Sequence, residues 1–302
     1  MSDTRPIVPG DWGLLCLLSL LWGGSFFFAK VALSEVPPLT IVLARVAIAA
    51  SALWLYLRLR GTPIPSTAAT WWAFCGMGFL NNLLPFTLIF WGQTFIESGL
   101  ASIINATTPL FSILVAHFLA ADERLSLYKL TGIALGIAGV VVLLGAQTSS
   151  AADGAVWGVL ACLGAALSYG FANTFGRRFK RMGIAPAVGA FGQITATACM
   201  ALPLVLIVDR PWQHGMPGLA TWGALIGLAL LSTALAYIIF FRLIATAGAT
   251  NTSLVTLLIP ISAVLLGAAF LGERLSALQL GGMALIGLGL VVLDGRLLPR
   301  SR

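Results

Sequence analysis

Charge is what this sequence has least of: 9% of its 302 residues are Asp, Glu, Lys or Arg, against 59% that are hydrophobic. Water-soluble domains carry about 25% charged residues, so that class is excluded. Long polar segments are missing too. A membrane span takes about 20 apolar residues, and such spans with short connections consume nearly the whole chain, leaving no room for a soluble domain. The signatures of catalysis are absent: no Gly-Lys-Ser/Thr phosphate loop, no His-Glu-x-x-His helix and no paired aspartates within apolar runs. Neither an enzyme nor a cofactor or metal site is expected. The four cysteines, Cys16, Cys75, Cys162 and Cys199, lie inside apolar runs without metal-ligand spacing and read as small packing residues.

What is present is a mean hydropathy of +0.99, organised as ten apolar spans. They are predicted at 11-33, 39-58, 70-92, 98-121, 127-146, 154-176, 185-208, 218-242, 249-271 and 276-296. Turn residues such as Pro37-Pro38 and Gly61-Thr62-Pro63 separate them. The first run, from about Trp12, is too long for a signal segment and is expected to remain as the first helix. The net charge of +7 sits between spans and implies a membrane topology rather than a nucleic-acid partner. With the N-terminus inside, thirteen Lys and Arg residues fall on the cytoplasmic side and three, Lys30, Arg210 and Arg274, outside, so both termini are expected in the cytoplasm. The cluster Arg177 to Arg181 dominates that balance and reads as an anionic-headgroup contact.

The segment from Glu123 to Gly145 recurs from Glu273 to Gly295, with 13 of 23 positions identical at an offset of 150. Upstream, Pro109 stands opposite Pro260, and Trp12-Gly13 opposite Trp157-Gly158. The repeat unit is therefore five helices, 11-146 and 154-296. An odd number of crossings inverts the second copy, the arrangement that lets a midplane site open to either side. The predicted fold is an all-α polytopic membrane protein of ten transmembrane helices in two inverted five-helix repeats. The Glu-Arg-Leu-Ser segments are assigned to turns, with Ser276 and Gln279 forming a capping box. Gly132, Gly136, Gly139, Gly282 and Gly289 permit close helix packing, within the chain or between two copies.

These residues, together with Leu-Trp-Gly-Gly-Ser-Phe (21-26), Leu-Ala-Arg (43-45) and Gly-Glu-Arg-Leu-Ser (272-276), resemble the EamA-type carriers of the drug/metabolite transporter superfamily. The first copy departs in having Ala121-Asp122 where that family usually has Leu-Gly. By length and aromatic first helix, the chain is similar to bacterial amino-acid exporters, including the aromatic ones. The resemblance implies a multi-pass protein of the bacterial inner membrane, monomeric or a weak homodimer, with a small-molecule substrate and the lipid bilayer as partners.

All ten acidic residues fall at span ends or in connections. A charge at a helix centre costs about 2.5 to 3.5 kcal/mol on insertion scales and is retained for uses such as proton relays, so carboxylate-based proton or sodium coupling is not expected. Polar and aromatic residues at depth are the site candidates. Phe79, Asn82, Phe86 and Phe90 share one face of helix three, with Asn81 and Trp91 beside it. Tyr169 and Asn173 lie one turn apart in helix six, and Ser232, Thr233 and Tyr237 form a similar set in helix eight. Each set serves either substrate binding or interhelical hydrogen bonding. Arg45, about 9 Å along helix two at 1.5 Å per residue, either snorkels outward or neutralises a substrate carboxylate. Lys30 has the same ambiguity. Pro109 and Pro260 leave the carbonyls of Asn105 and Thr256 without their usual donors, suggesting hinges or simple kinks in helices four and nine. An aromatic, acid-free cavity suits neutral amphipathic solutes. The expected activity is facilitated export of amino acids, especially aromatic and other neutral ones, and similar metabolites; export of lipophilic drugs or other small metabolites, with or without proton coupling, is the alternative.

Overall fold

The computed structural model describes residues 8–119, 126–148 and 154–294, and among these every regular element is helical. Ten helices follow one another: α1 (Pro9–Ala32), α2 (Pro38–Leu59), α3 (Ala68–Gln93), α4 (Ser98–Leu119), α5 (Leu127–Thr148), α6 (Ala155–Arg181), α7 (Pro186–Leu204), α8 (Leu219–Ala247), α9 (Val255–Leu271) and α10 (Ala277–Asp294). Eight are long and apolar enough to cross a membrane, while α9 and α10 are shorter apolar helices. The shortness of α9 has a local cause. Its expected first turn, Ala249–Thr252, is separated from it by a tight turn at Ser253 and Leu254. Helix α6 runs longer than expected, so the cationic run Arg177 to Arg181 is its last turn rather than a connection. Cations there complement the partial negative charge of a helix C-terminus.

Proline starts several helices because its missing N–H is one that the first turn would leave unpaired anyway; Pro9, Pro38 and Pro186 do this here. Within α3, Pro85 cannot donate to the Asn81 carbonyl and its ring crowds it. The helix widens ahead of it into a π-turn, Phe79–Leu83, closed by the Leu84 N–H on the Phe79 carbonyl. A π-turn of nine residues, Gly227–Leu235, occupies the corresponding part of α8. Helix α4 is interrupted at Ala106 and Thr107, just before Pro109, and the Thr108 hydroxyl donates to the Asn105 carbonyl at 2.7 Å. Pro260 instead lies inside α9, five residues after that helix begins.

The helices pair in a self-consistent pattern: α5 lies on α10, α2 on α7, α1 on α9, α4 on α6, α3 on α6 and α1 on α8. Replacing every helix by its counterpart five places away returns the same set of pairs. Small residues allow these contacts. A Cβ at Gly132 would stand 2.8 Å from the Gly289 carbonyl, and one at Gly139 would stand 2.7 Å from that of Gly282. Since Gly132 corresponds to Gly282 and Gly139 to Gly289 in the repeat, the two contacts across the α5–α10 seam are equivalent to each other, and the two helices run antiparallel. In the Leu-Trp-Gly-Gly segment, Gly23 likewise seats α1 on α9, where a Cβ would lie 2.7 Å from that of Ser262.

At the end where α1 passes to α2, carboxylates fasten the helices to one another. Asp209 accepts from the Thr40 N–H and hydroxyl at the start of α2 (2.7 and 2.8 Å), and Glu35 accepts from the Gly218 N–H and the Thr221 hydroxyl at the start of α8. Glu273 accepts from the Ser98 N–H and hydroxyl, both at 2.8 Å, and from the Gly99 N–H at 3.0 Å, at the start of α4. Lys30 donates to the Gln93 and Ile96 carbonyls at the end of α3. The Ser276–Gln279 capping box forms as the spacing suggests. Glu273 goes further than a turn residue, because it joins the α9–α10 turn to α4. Glu123, Arg124 and Leu125 lie outside the described residues.

Candidate functional site

Five helices bring polar and aromatic side chains together around Arg45 of α2. Arg45 is buried, 7% exposed, and its Nε donates to the Thr233 hydroxyl at 2.9 Å. That hydroxyl spends its own hydrogen on the Leu228 carbonyl, 2.8 Å away and five residues back in the π-turn of α8. An oxygen lone pair is thereby left for arginine. The guanidinium carbon lies 3.8 Å from the Phe86 ring centre and 5.9 Å from that of Phe90, and the two rings stack with each other. Such cation–π contacts contribute about 0.5–2 kcal/mol each. Tyr169 of α6 and Tyr237 of α8 are near enough to act electrostatically on Arg45.

A second layer hangs on Asn81 in the π-turn of α3. Its Nδ2 donates to Gln193 Oε1 of α7 at 3.1 Å and to the Tyr237 hydroxyl at 3.3 Å, and Tyr237 stacks on Phe241. The next residue, Asn82, is fully buried, yet neither its Nδ2 nor its Oδ1 has a hydrogen-bond partner among the described residues. Leaving a buried polar group unpaired costs about 1–3 kcal/mol. The Ser232 hydroxyl is buried and unpartnered in the same way.

The expected set thus divides. Arg45, Phe86, Tyr169 and Tyr237 converge, and Asn82 is buried on the same helix as Phe86. Phe79 and Trp91 stand apart, 45% and 41% exposed. The cause at Phe79 is the π-turn, which adds a residue to the helical repeat and rotates Phe79 off the face that Phe86 and Phe90 share. Trp91 follows Phe90 directly and so points elsewhere, edge-on to Phe95. Asn173 is exposed and donates to Ser112 of α4 at 2.9 Å, across the α4–α6 contact. Pro109 and Pro260 lie in α4 and α9, away from the arginine cluster's five helices. Sequence reasoning placed Asn81 beside the stripe and did not single out Gln193. The clue to Asn81 was Pro85, which frees the carbonyl four residues earlier and so predicts a local loss of α geometry.

Burial raises the Glu97 carboxyl above its ordinary range, nearby Glu273 adds to this, and Lys30 and a backbone hydrogen bond from Arg274 oppose it. Glu35 shifts the other way, held below the ordinary range chiefly by the Thr221 hydroxyl and then the Gly218 N–H. Both belong to the fastened end of the bundle, not to the arginine cluster.

Comparison with known proteins matches the chain twice to the EamA-like transporter family, over residues 12–145 and 156–293. A Bacillus subtilis protein named "Uncharacterized transporter YoaV" is 25% identical over 276 residues, 90% of this chain and 92% of that protein. A Salmonella typhimurium "Probable amino-acid metabolite efflux pump" is 28% identical over 291 residues, covering 93% and 94%. The Escherichia coli K12 "Uncharacterized inner membrane transporter YedA" is 26% identical over 280 residues, covering 89% and 85%. A solved crystal structure superimposes with a TM-score of 0.67 at 22% identity, over 98% of this chain and 100% of the other, and shows a shared fold.

Proposed function

Because the chain belongs to the EamA-like transporter family, we propose that it is a facilitative carrier that exports amino acids, aromatic and other neutral ones foremost, across the bacterial inner membrane. The observation that carries this reading is the buried Arg45 guanidinium, set between Phe86, Phe90 and the tyrosines where five helices converge. Such a place offers a charged anchor for a carboxylate and aromatic faces for an apolar side chain. The efflux-pump name of the Salmonella relative supports the amino-acid reading.

The two five-helix repeats, 11-146 and 154-296, lie in the bilayer with opposite orientations and alternate access to this cluster. In that topology the end fastened by Glu35, Asp209, Glu273 and Lys30 is the external one. Pro109 and Pro260 are the hinges. Transport is uncoupled, since the ten acidic residues sit at span ends or in connections. Flux in proteoliposomes tests this: labelled phenylalanine should saturate, exchange against other neutral amino acids, and run without an imposed pH or sodium gradient. Flux that requires either gradient overturns the uncoupled mechanism; absence of amino-acid exchange overturns the substrate class.

A further inference from the structure

Arg45 has a fork without a counter-ion. Its Nε is committed to Thr233, and among the described residues its two terminal Nη groups have no hydrogen-bond partner and no carboxylate within ion-pair reach. The carboxylates Asp11, Glu35, Asp209, Glu273 and Glu97 have their roles elsewhere: Asp11 accepts from Thr246, Glu35, Asp209 and Glu273 cap helix starts, and Glu97 neighbours Lys30 and the Arg274 backbone. Guanidinium stays charged at any physiological pH, and buried charges are paired in stable structures. The flat face of this one is already covered by Phe86. What remains is the edge, the geometry that a carboxylate fills with two parallel hydrogen bonds.

The other half of an amino acid finds no carboxylate there, only neutral acceptors on the same helices, such as Asn82 Oδ1 and the Ser232 hydroxyl. An ammonium is recognised by acids or by several oriented acceptors, and the groups around Arg45 are tyrosine hydroxyls, amides and aromatic rings. A second cation beside the guanidinium would be repelled. We propose that this site reads a carboxylate and not an ammonium, so that its substrates are apolar and aromatic monocarboxylates, of which amino acids are one subset. The deaminated acid and the 2-oxo acid corresponding to an accepted amino acid enter the same site, and the decarboxylated amine does not. The inference rests on the carrier reading above and deepens it.

The test is inhibition of labelled phenylalanine exchange by the full-length protein in liposomes, with 3-phenylpropionate, phenylpyruvate and phenethylamine as competitors. Both acids should inhibit at least as well as unlabelled phenylalanine, and the amine at least about tenfold less, a difference of about 1.4 kcal/mol. Arg45→Gln should bring the acids down to the level of the amine. Thr233→Val keeps the charge but frees the fork from its anchor, and should weaken both acids while leaving the amine unchanged. An amine that competes like the acids, or acids that do not compete while phenylalanine exchanges, overturns the inference and leaves the carrier reading standing. If phenylalanine is not exchanged at all, the amino-acid reading fails. The inference is then judged on the purified protein by thermal unfolding with 3-phenylpropionate: a rise in midpoint that Arg45→Gln or Thr233→Val abolishes supports it, and no rise overturns it.

Discussion

At Asn81 and Asn82, adjacent asparagines in one π-turn, opposite responses to the same substitution are expected. Asn81 holds Gln193 and Tyr237, so Asn81→Leu strands a buried amide oxygen and should lower stability by about 1–3 kcal/mol, read as a lower unfolding midpoint in detergent. Asn82 holds nothing among the described residues. Asn82→Leu should therefore leave the midpoint unchanged or raise it, while KM for the transported solute increases. A fall in midpoint comparable to that of Asn81→Leu would mean that Asn82 serves packing after all. Phe79 carries a related lesson. Its 3.6-residue spacing to Asn82 and Phe86 was legible in the sequence, but the extra residue of the π-turn was not, and one inserted residue rotates everything ahead of it by about 100°.

At the level of elements, the carboxylates dismissed for lying at span ends became the ties between helices. A cap residue replaced by a neutral one costs about 0.5–2 kcal/mol, and Glu273→Gln should pay this while opening the end that joins α4 to the α9–α10 turn. Reaction of a cysteine placed at Ser98 with an impermeant maleimide should then be faster. Glu97 gives a pH signature. Its carboxyl is raised, so the fastened arrangement binds a proton more tightly than the unfolded chain does. That contribution is complete below the ordinary carboxylate value of 4.5 and is lost as pH rises through the raised value. Glu97→Gln, which keeps the neutral form at every pH, should match the wild type in acid and exceed its unfolding midpoint at neutral pH. Equal midpoints at both pH values would contradict the direction of the shift. In α4 the Asn105 carbonyl already has a donor in Thr108, so Pro109→Ala offers a competing backbone donor and a straighter helix. Transport rate should fall more than expression if the interruption is where α4 bends.

For the whole molecule, the seam between α5 and α10 is where the duplication is easiest to see, because the Gly132–Gly289 contact is repeated there as Gly139–Gly282. Gly139→Leu should push the seam apart and cost about 1–3 kcal/mol through overpacking, visible as a lower unfolding midpoint. This use of Gly132, Gly139, Gly282 and Gly289 inside the chain takes them from the list of faces open to a second copy. The helix pairs exchange under the five-helix shift even though the register of identities between the two halves is dense only over α5 and α10. Packing has kept a symmetry that most side chains have lost.

The sequence by itself determined the solvent, the helical class, the near-complete division into ten and the duplication, because these follow from apolar run length, turn residues and a register of identities, all of which are local or linear properties. It also supplied Arg45, Phe86, Tyr169 and Tyr237, since a polar or bulky aromatic residue deep in an apolar run is conspicuous wherever it points. Only the tertiary structure decided which of them meet. Direction around a helix is a running sum of turns, and π-turns at Phe79–Leu83 and Gly227–Leu235 change that sum. Partnership between helices depends on close approaches at single glycines. The charge of Arg45 could be read from one letter; that it faces aromatic rings and a hydroxyl, with its fork free of any described carboxylate, is a property of five helices at once.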